Sequence, residues 1–232
     1  MDASKAARIG QAIAKAELII IGASNGIDIA EGLDIFRGDA HFREAYGDLA
    51  ERDDMPCILA GLSAPDARVR TEWTERFRQK EYLEYEPSPL MATLRDLTSH
   101  AETFVITCNI DGRFIRGGFD EKRVLETEGS VRGTIDERRL AHPDTEITAR
   151  LEELERLVRA HRDGNVVVLE LGVGLYNGII KRMLVQVAGA CPHATYIVLN
   201  YNQAIAPDAA CESILVDGDM AATFEEVDRR RP

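Results

Sequence analysis

Leu18-Ile19-Ile20-Ile21-Gly22-Ala23-Ser24-Asn25-Gly26 is the stretch on which the reading of the fold turns. Four consecutive aliphatic residues stop at Gly22 and run into a loop of small and polar residues. A half-exposed strand would alternate apolar with polar. A continuous apolar run of strand length closed by glycine therefore predicts a strand buried on both faces, as in a parallel sheet.

Working outward, the same unit recurs. FVITCNID begins at Phe104, NVVVLELGVG at Asn165, ATYIVLNYN at Ala194 and SILVDGDM at Ser213, and KRVLET (122–127) is a shorter strand candidate. Helical patterns lie between them. Ser4 is placed to cap a helix running to about Ala16, with Ile9, Ala12, Ile13 and Ala16 on one face. A second runs from about Glu146 to Arg162, with Ile147, Leu151, Leu154, Leu157 and Val158 inward and Gly164 closing it. Another starts near Ile179, and a polar helix ends the chain. Strands alternating with helices predict an α/β fold, a Rossmann-like parallel sheet with helices on both faces.

The expected organisation is a single domain over 1–232, with 38–90 partly forming a small helical lobe. That stretch is rich in charge and aromatics, keeps helical periodicity from Ala67 to Tyr85, is broken at Pro87 and Pro89, and resumes as a short helix from Leu90 to Thr98. Within it Arg68, Arg70, Arg76, Arg78 and Lys80 alternate with Glu72, Glu75, Glu81 and Glu84, which predicts a solvated, ion-paired face.

Composition narrows the function. The 232 residues carry a net charge of −12, which repels nucleic-acid phosphates and anionic membrane surfaces, so neither is an expected partner. Apolar runs are strand-sized, and the first sixteen residues have no continuous apolar core, which leads to the expectation of a cytoplasmic protein. The four cysteines, Cys57, Cys108, Cys191 and Cys211, show no close pairing of the kind structural zinc requires; reduced thiols and no metal are expected.

Ligands of open parallel sheets bind at the carboxyl ends of the strands. Here those ends carry GASNG, CNID, LGVGLYN, NYNQ and DGDM, whose small residues admit a ligand to backbone N–H groups and whose short polar side chains suit a ribose or a base. Five such loops in order point to a nucleotide or dinucleotide.

These motifs resemble those of the sirtuin family. GASNGIDIAEGLDIFR (22–37) is similar to the first sirtuin signature, with Gly26, Gly32, Phe36 and Arg37 at matching positions. TCNIDGRFIRGGF (107–119) resembles TQNID-GLH-xx-AG, and VLETEG (124–129) resembles V-x-E-x-H-G. The likeness runs from about residue 5 to 222 and is nearest to the macrodomain-linked, class M branch, which has a similar ELGVG…IIK stretch. It implies NAD as cofactor and a protein as acceptor. Gly22, Ala23, Ser24, Gly26 and Asp28 would line the diphosphate and ribose, with Phe36 and Arg37 in a mobile cofactor loop. Asn109 would position the nicotinamide ribose and Asp111 would hold the carboxamide. Gly172, Val173, Gly174 and Asn177 would approach the phosphates and adenine ribose, and Asn200, Gly218 and Asp219 the adenosine end.

Three departures from the family pattern change the expected chemistry. No cysteine lies between Gly129 and Glu170, where sirtuins carry a zinc ribbon. Glu128 stands where the family has its general-base histidine. Asp28 places a carboxyl beside the expected diphosphate. Asn109, Asp111 and Glu128 are the candidate catalytic residues. The resemblance then implies cleavage of the nicotinamide–ribose bond with transfer of ADP-ribose to a protein. NAD glycohydrolysis, lysine deacylation, and a non-catalytic sensor of NAD or ADP-ribose are the alternatives.

Overall fold

The computed structural model describes residues 3–132, 144–175 and 177–231. Six strands form one sheet: β1 (Leu18–Ala23), β2 (Glu102–Thr107), β3 (Val124–Glu126), β4 (Val166–Leu171), β5 (Thr195–Asn200) and β6 (Glu212–Asp217). Their order is β3-β2-β1-β4-β5-β6 and every pairing is parallel. The Rossmann-like architecture read from the apolar runs is what the chain adopts.

β1 lies at the centre because all six of its residues are buried. Ile19 and Ile21 enter one core with Ile9 and Ile13 of α1 (Ala3–Lys15), Leu94 of a helix spanning Pro89–Thr98, and Phe224 and Val227 of the last helix (Met220–Arg229). Leu18 and Ile20 enter the opposite core with Leu154 and Leu157 of the Asp144–Ala160 helix and with Ile180, Leu184 and Val187 of the Gly178–Ala190 helix. Alternate residues of one strand thus meet helices on the two faces. Helix α1 begins at Ala3, so Ser4 lies inside its first turn and not at the cap.

The connections reverse direction between β1 and β4. From β1 the chain winds toward β2 and β3; from β4 it winds toward β5 and β6. At this switch point the loops after β1 and β4 touch backbone to backbone. Gly26 N donates to Gly172 O at 3.2 Å, and a Cβ on Gly26 would stand 2.4 Å from Gly172 Cα. Gly172 also holds a left-handed φ of +59°. Glycine is required on both sides of the contact.

Residues 38–90 gather α2 (Ala40–Asp53), a short helix (Ile58–Leu62), α3 (Ala67–Phe77) and, running straight on from α3, a π-helical turn (Arg78–Leu83). Phe42, Tyr46 and Trp73 stack in a third apolar cluster with Leu49, Ile58 and Phe77. The expected solvated face is correct only in part. Glu72 pairs with Arg52, and Glu84 with Lys80, at the surface. Glu81 is buried, with 1% of its side chain exposed. Trp73, Phe77 and Glu81 recur at intervals of four, and the wider π turn keeps the third residue on the inward side.

Replacing Gly26 by Ala is expected to overpack the two loops and cost about 1–3 kcal/mol, lowering the melting temperature by roughly 3–10 °C. Gly47→Ala, in α2 with no atom within 4 Å of the added methyl, is expected to stabilise by about 0.5–1 kcal/mol through helix propensity. Thermal unfolding followed by circular dichroism measures both.

Candidate functional site

Parallel pairing puts the ends of β1, β2 and β4 side by side, with Ala23 opposite Thr107 on one flank and Leu171 on the other. The next residues of each strand therefore meet. Ser24 Oγ accepts from the Cys108 thiol at 3.1 Å and lies 3.4 Å from Asn177 Nδ2. Asn177 Nδ2 reaches Cys108 Sγ at 3.0 Å, while its Oδ1 accepts from Ile180 N and caps the Gly178–Ala190 helix. Cys108 is buried at the hub of three loops, and Asp28 and Glu128 both lie close enough to act on its thiol electrostatically. Burial, the largest effect, pushes that thiol up.

Asn109 is only 6% exposed. Its backbone N–H donates to Thr107 Oγ1, and its Oδ1 faces the Cys108 thiol at 3.6 Å. Its Nδ2 is buried and finds no acceptor among the described residues. Asp111 Oδ1 accepts from Arg113 N at 2.8 Å, whereas its Oδ2 is buried with no fixed donor. An unmet donor and an unmet acceptor two residues apart at the strand tip are costly unless a ligand or water completes them.

Asp28 points inward from the short helix after β1 (Asn25–Ala30) and is 4% exposed. Burial raises the Asp28 carboxyl well above the usual carboxylate range, and the neighbouring charge of Asp111 raises it further. Asp111 is raised for the same first reason. Burial and that neighbour thus both disfavour the negative charge expected beside a diphosphate.

Behind this pair sits Arg113, buried in the turn Arg113–Arg116. Its Nη2 donates to Glu81 Oε2 at 2.7 Å, its guanidinium stacks 4.8 Å from the centre of the Tyr85 ring, and Nη1 lies 3.9 Å from Glu31 Oε2. Glu31 accepts from the hydroxyls of Tyr85, at 2.8 Å, and Ser88. Glu81 Oε1 accepts from Tyr46 at 2.9 Å and pairs with His41 Nε2 at 2.7 Å. Desolvation works against the Arg113 charge, but Asp111, Asp28, Glu81 and Glu31 more than offset it and hold the guanidinium protonated. The hydrogen bond to Glu81 likewise raises His41. Nothing in the local sequence signals this network, because its members come from four separate stretches.

The remaining candidates divide by environment. Gly22 packs against Leu184, leaving no room for a Cβ, and Ala23 is buried in β1. Phe36 is 51% exposed, and Arg37 pairs with Asp34 at the surface. Val173 is wholly buried, offering a ligand only its backbone, and its carbonyl accepts from Asn200 Nδ2 at 3.0 Å. Gly174 lies beside Gln203, whose Oε1 accepts from Leu175 N; Tyr176 of the same loop lies outside the described residues. Gly218 N donates to Asn200 O at 3.1 Å, and Asp219 caps the last helix by accepting from Ala222 N. Glu128 is exposed just beyond β3, where Thr127 N donates to Thr107 O. The strand tips thus gather Ser24, Cys108, Asn109, Asn177, Asp28, Asp111 and Glu128, while Asn200, Gly218 and Asp219 brace the neighbouring loops. Two open cavities, of about 320 and 690 Å³, lie elsewhere, one at the amino ends of β4–β6 and one between the Asp120–Arg123 turn and the Asp144–Ala160 helix.

Arg113→Leu is expected to strand the buried carboxylates and destabilise by about 3–5 kcal/mol, with Glu81→Gln in the same chain restoring part of the loss; urea unfolding measures both. His41 has a folded-state pKa raised above its unfolded value. Its contribution is therefore full below about pH 6.5 and fades as pH rises through the raised value. Melting temperatures across pH 6–9 are expected to fall more for the parent than for His41→Gln.

No family model and no curated protein matches the sequence. Solved structures do match. A Sir2 enzyme studied for mechanism and regulation aligns at TM-score 0.56 and 18% identity, over 97% of this chain and 98% of its own. A sirtuin studied for substrate affinity aligns at 0.55 and 16%, over 95% and 96%. A Sir2 homolog in complex with NAD aligns at 0.56 and 15%, over 97% and 93%. The chain shares the architecture of Sir2 enzymes along nearly its whole length.

Proposed function

We propose that the chain is a sirtuin-like enzyme that consumes NAD, cleaving the nicotinamide–ribose bond and transferring ADP-ribose to a protein acceptor. The observation that carries this reading is the pair of unmet polar atoms, Asn109 Nδ2 and Asp111 Oδ2, buried where the three loops meet. One offers a donor and the other an acceptor, which suits a ribose hydroxyl beside a carboxamide. The solved Sir2 homolog that shares the fold is a complex with NAD, which supports the choice of dinucleotide.

NAD supplies the bond that breaks; the chain supplies position and charge. Asn109 orients the ribose through Nδ2, and Asp111 holds the carboxamide of the departing nicotinamide. Glu128, exposed at the mouth, is free to stabilise positive charge developing on the ribose or to take a proton from an incoming nucleophile. A glutamate in place of the family's histidine, and no cysteine in 129–170 for a zinc ribbon, favour transfer in the manner of the class M branch over lysine deacylation. Exposed apolar side chains ring this edge of the sheet: Ile29, Phe36, Leu175, Ile179, Tyr201 and Ile205. Such a rim suits a protein acceptor.

Incubation with NAD and a lysate, reading free nicotinamide and ADP-ribosylated protein together, tests the proposal. Both products are expected. Nicotinamide without labelled protein would indicate hydrolysis, and binding without nicotinamide a sensor. Asn109→Ala and Glu128→Ala are each expected to lower nicotinamide release at least about 100-fold while leaving the melting temperature within about 2 °C of the parent. Unchanged turnover in both variants overturns the assignment.

A further inference from the structure

An ion pair lies beneath the strand tips, inside the apolar layer that packs on one face of the sheet. Glu170 stands in β4 opposite Gly22 of β1 and Val198 of β5, with 2% of its side chain exposed. Its Oε1 accepts from Lys181 Nζ of the Gly178–Ala190 helix, and its Oε2 accepts from the Tyr196 hydroxyl at 2.7 Å. Val168, Val198, Ile180 and Leu184 of the same apolar cluster are wholly buried. Lys181 belongs to the first turn of that helix, where its backbone N–H donates to the carbonyl of the capping residue Asn177 at 3.4 Å. Asn177 Nδ2 in turn reaches the Cys108 thiol at the strand tips. A buried ion pair is poor ground for stability, because apolar side chains of similar volume often hold a core as well or better. What the pair adds is direction. Leu184 packs on Gly22 through an apolar contact, which is non-directional and tolerates sliding, whereas a carboxylate held by two donors does not.

We propose that Glu170 and Lys181 are positioning residues for the candidate site: their ion pair fixes the Gly178–Ala190 helix along its axis and so sets how far Asn177 reaches over Cys108. The effect on turnover rests on the NAD reading given above; the effect on Cys108 belongs to the unliganded chain. Lys181 and Asn177 are about one helical turn apart, so a displacement of one is a displacement of the other. A slide of about 1 Å carries the 3.0 Å contact between Asn177 and Cys108 out of hydrogen-bond reach. Cys108 is 7% exposed, so the reactivity of its thiol reports whether that cover is in place. Lys181 keeps 24% of its side chain exposed and can turn to water without Glu170, whereas Glu170 without Lys181 stays buried. The two are therefore replaced together.

Glu170→Leu and Lys181→Met in one chain remove the pair while nearly keeping its volume. Trapping of Cys108 by iodoacetamide in the unliganded full chain, read by mass spectrometry, measures position, and thermal unfolding measures stability. The double variant is expected to melt within about 5 °C of the parent and to be trapped at Cys108 about tenfold faster. Trapping less than about threefold faster, or a melting temperature lowered by more than about 5 °C, marks a pair that serves packing alone and overturns the proposal. Tyr196→Phe leaves Glu170 Oε2 without its donor but keeps the ion pair. It is expected to melt lower with Cys108 trapped at the parent's rate; trapping as fast as in the double variant overturns the assignment to the ion pair. In steady-state turnover the double variant is expected to raise KM for NAD about tenfold with kcat within about threefold of the parent. An unchanged KM overturns the positioning role. If the parent releases no nicotinamide, the NAD reading fails, and Cys108 trapping alone decides whether the ion pair sets the helix.

Discussion

A buried guanidinium surrounded by carboxyls organises the working end of this molecule. Arg113 reaches Glu81 in the helical lobe and lies beside Glu31 and Asp28 of the first loop and Asp111 of the second. A charge taken out of water is tolerated only beside groups of opposite charge, so each of these groups depends on the others' placement. The stacked Phe42–Tyr46–Trp73 cluster holds the lobe's side of the network, and Tyr46 then donates to Glu81. The lobe and the strand tips are thereby joined by electrostatics that do not tolerate sliding.

The sheet contributes the complementary constraint. At the switch point between β1 and β4 only glycine lets the two loops approach, and the contact sets how near Ser24 and Asn177 come to Cys108. Fixed loops on one side and a fixed charge network on the other leave Asn109 and Asp111 with unmet polar atoms. In a well-packed protein, unsatisfied groups concentrate where a ligand is to complete them. That economy of structure joins the packing to the proposed chemistry.

Some of the site was legible from the chain alone. Asn109 and Asp111 follow an apolar strand directly, and Gly26 follows another, so their place at strand ends came from local pattern. Glu81 was not legible. It sits in a charged helical stretch that looks solvated, and only the π turn and the partners His41, Tyr46 and Arg113 turn it inward. Cys108 looked like an ordinary reduced thiol, whereas it is the hub joining three loops. Asp28 looked like an unfavourable charge, and the carboxyl it meets lies 83 residues further along the chain.

What the sequence determined by itself was the order and burial of the strands and the residues at their tips. Runs such as Leu18–Ile21 and Val166–Leu169 can be satisfied only between two layers of helix, a requirement contained in short segments. Which tips meet, which carboxyls come together and which cation sits among them was decided by the tertiary structure. The reason is physical: periodicity and turn chemistry act over a few residues, whereas electrostatic and hydrogen-bond partnership depends on distances that exist only once the sheet is assembled and water is gone.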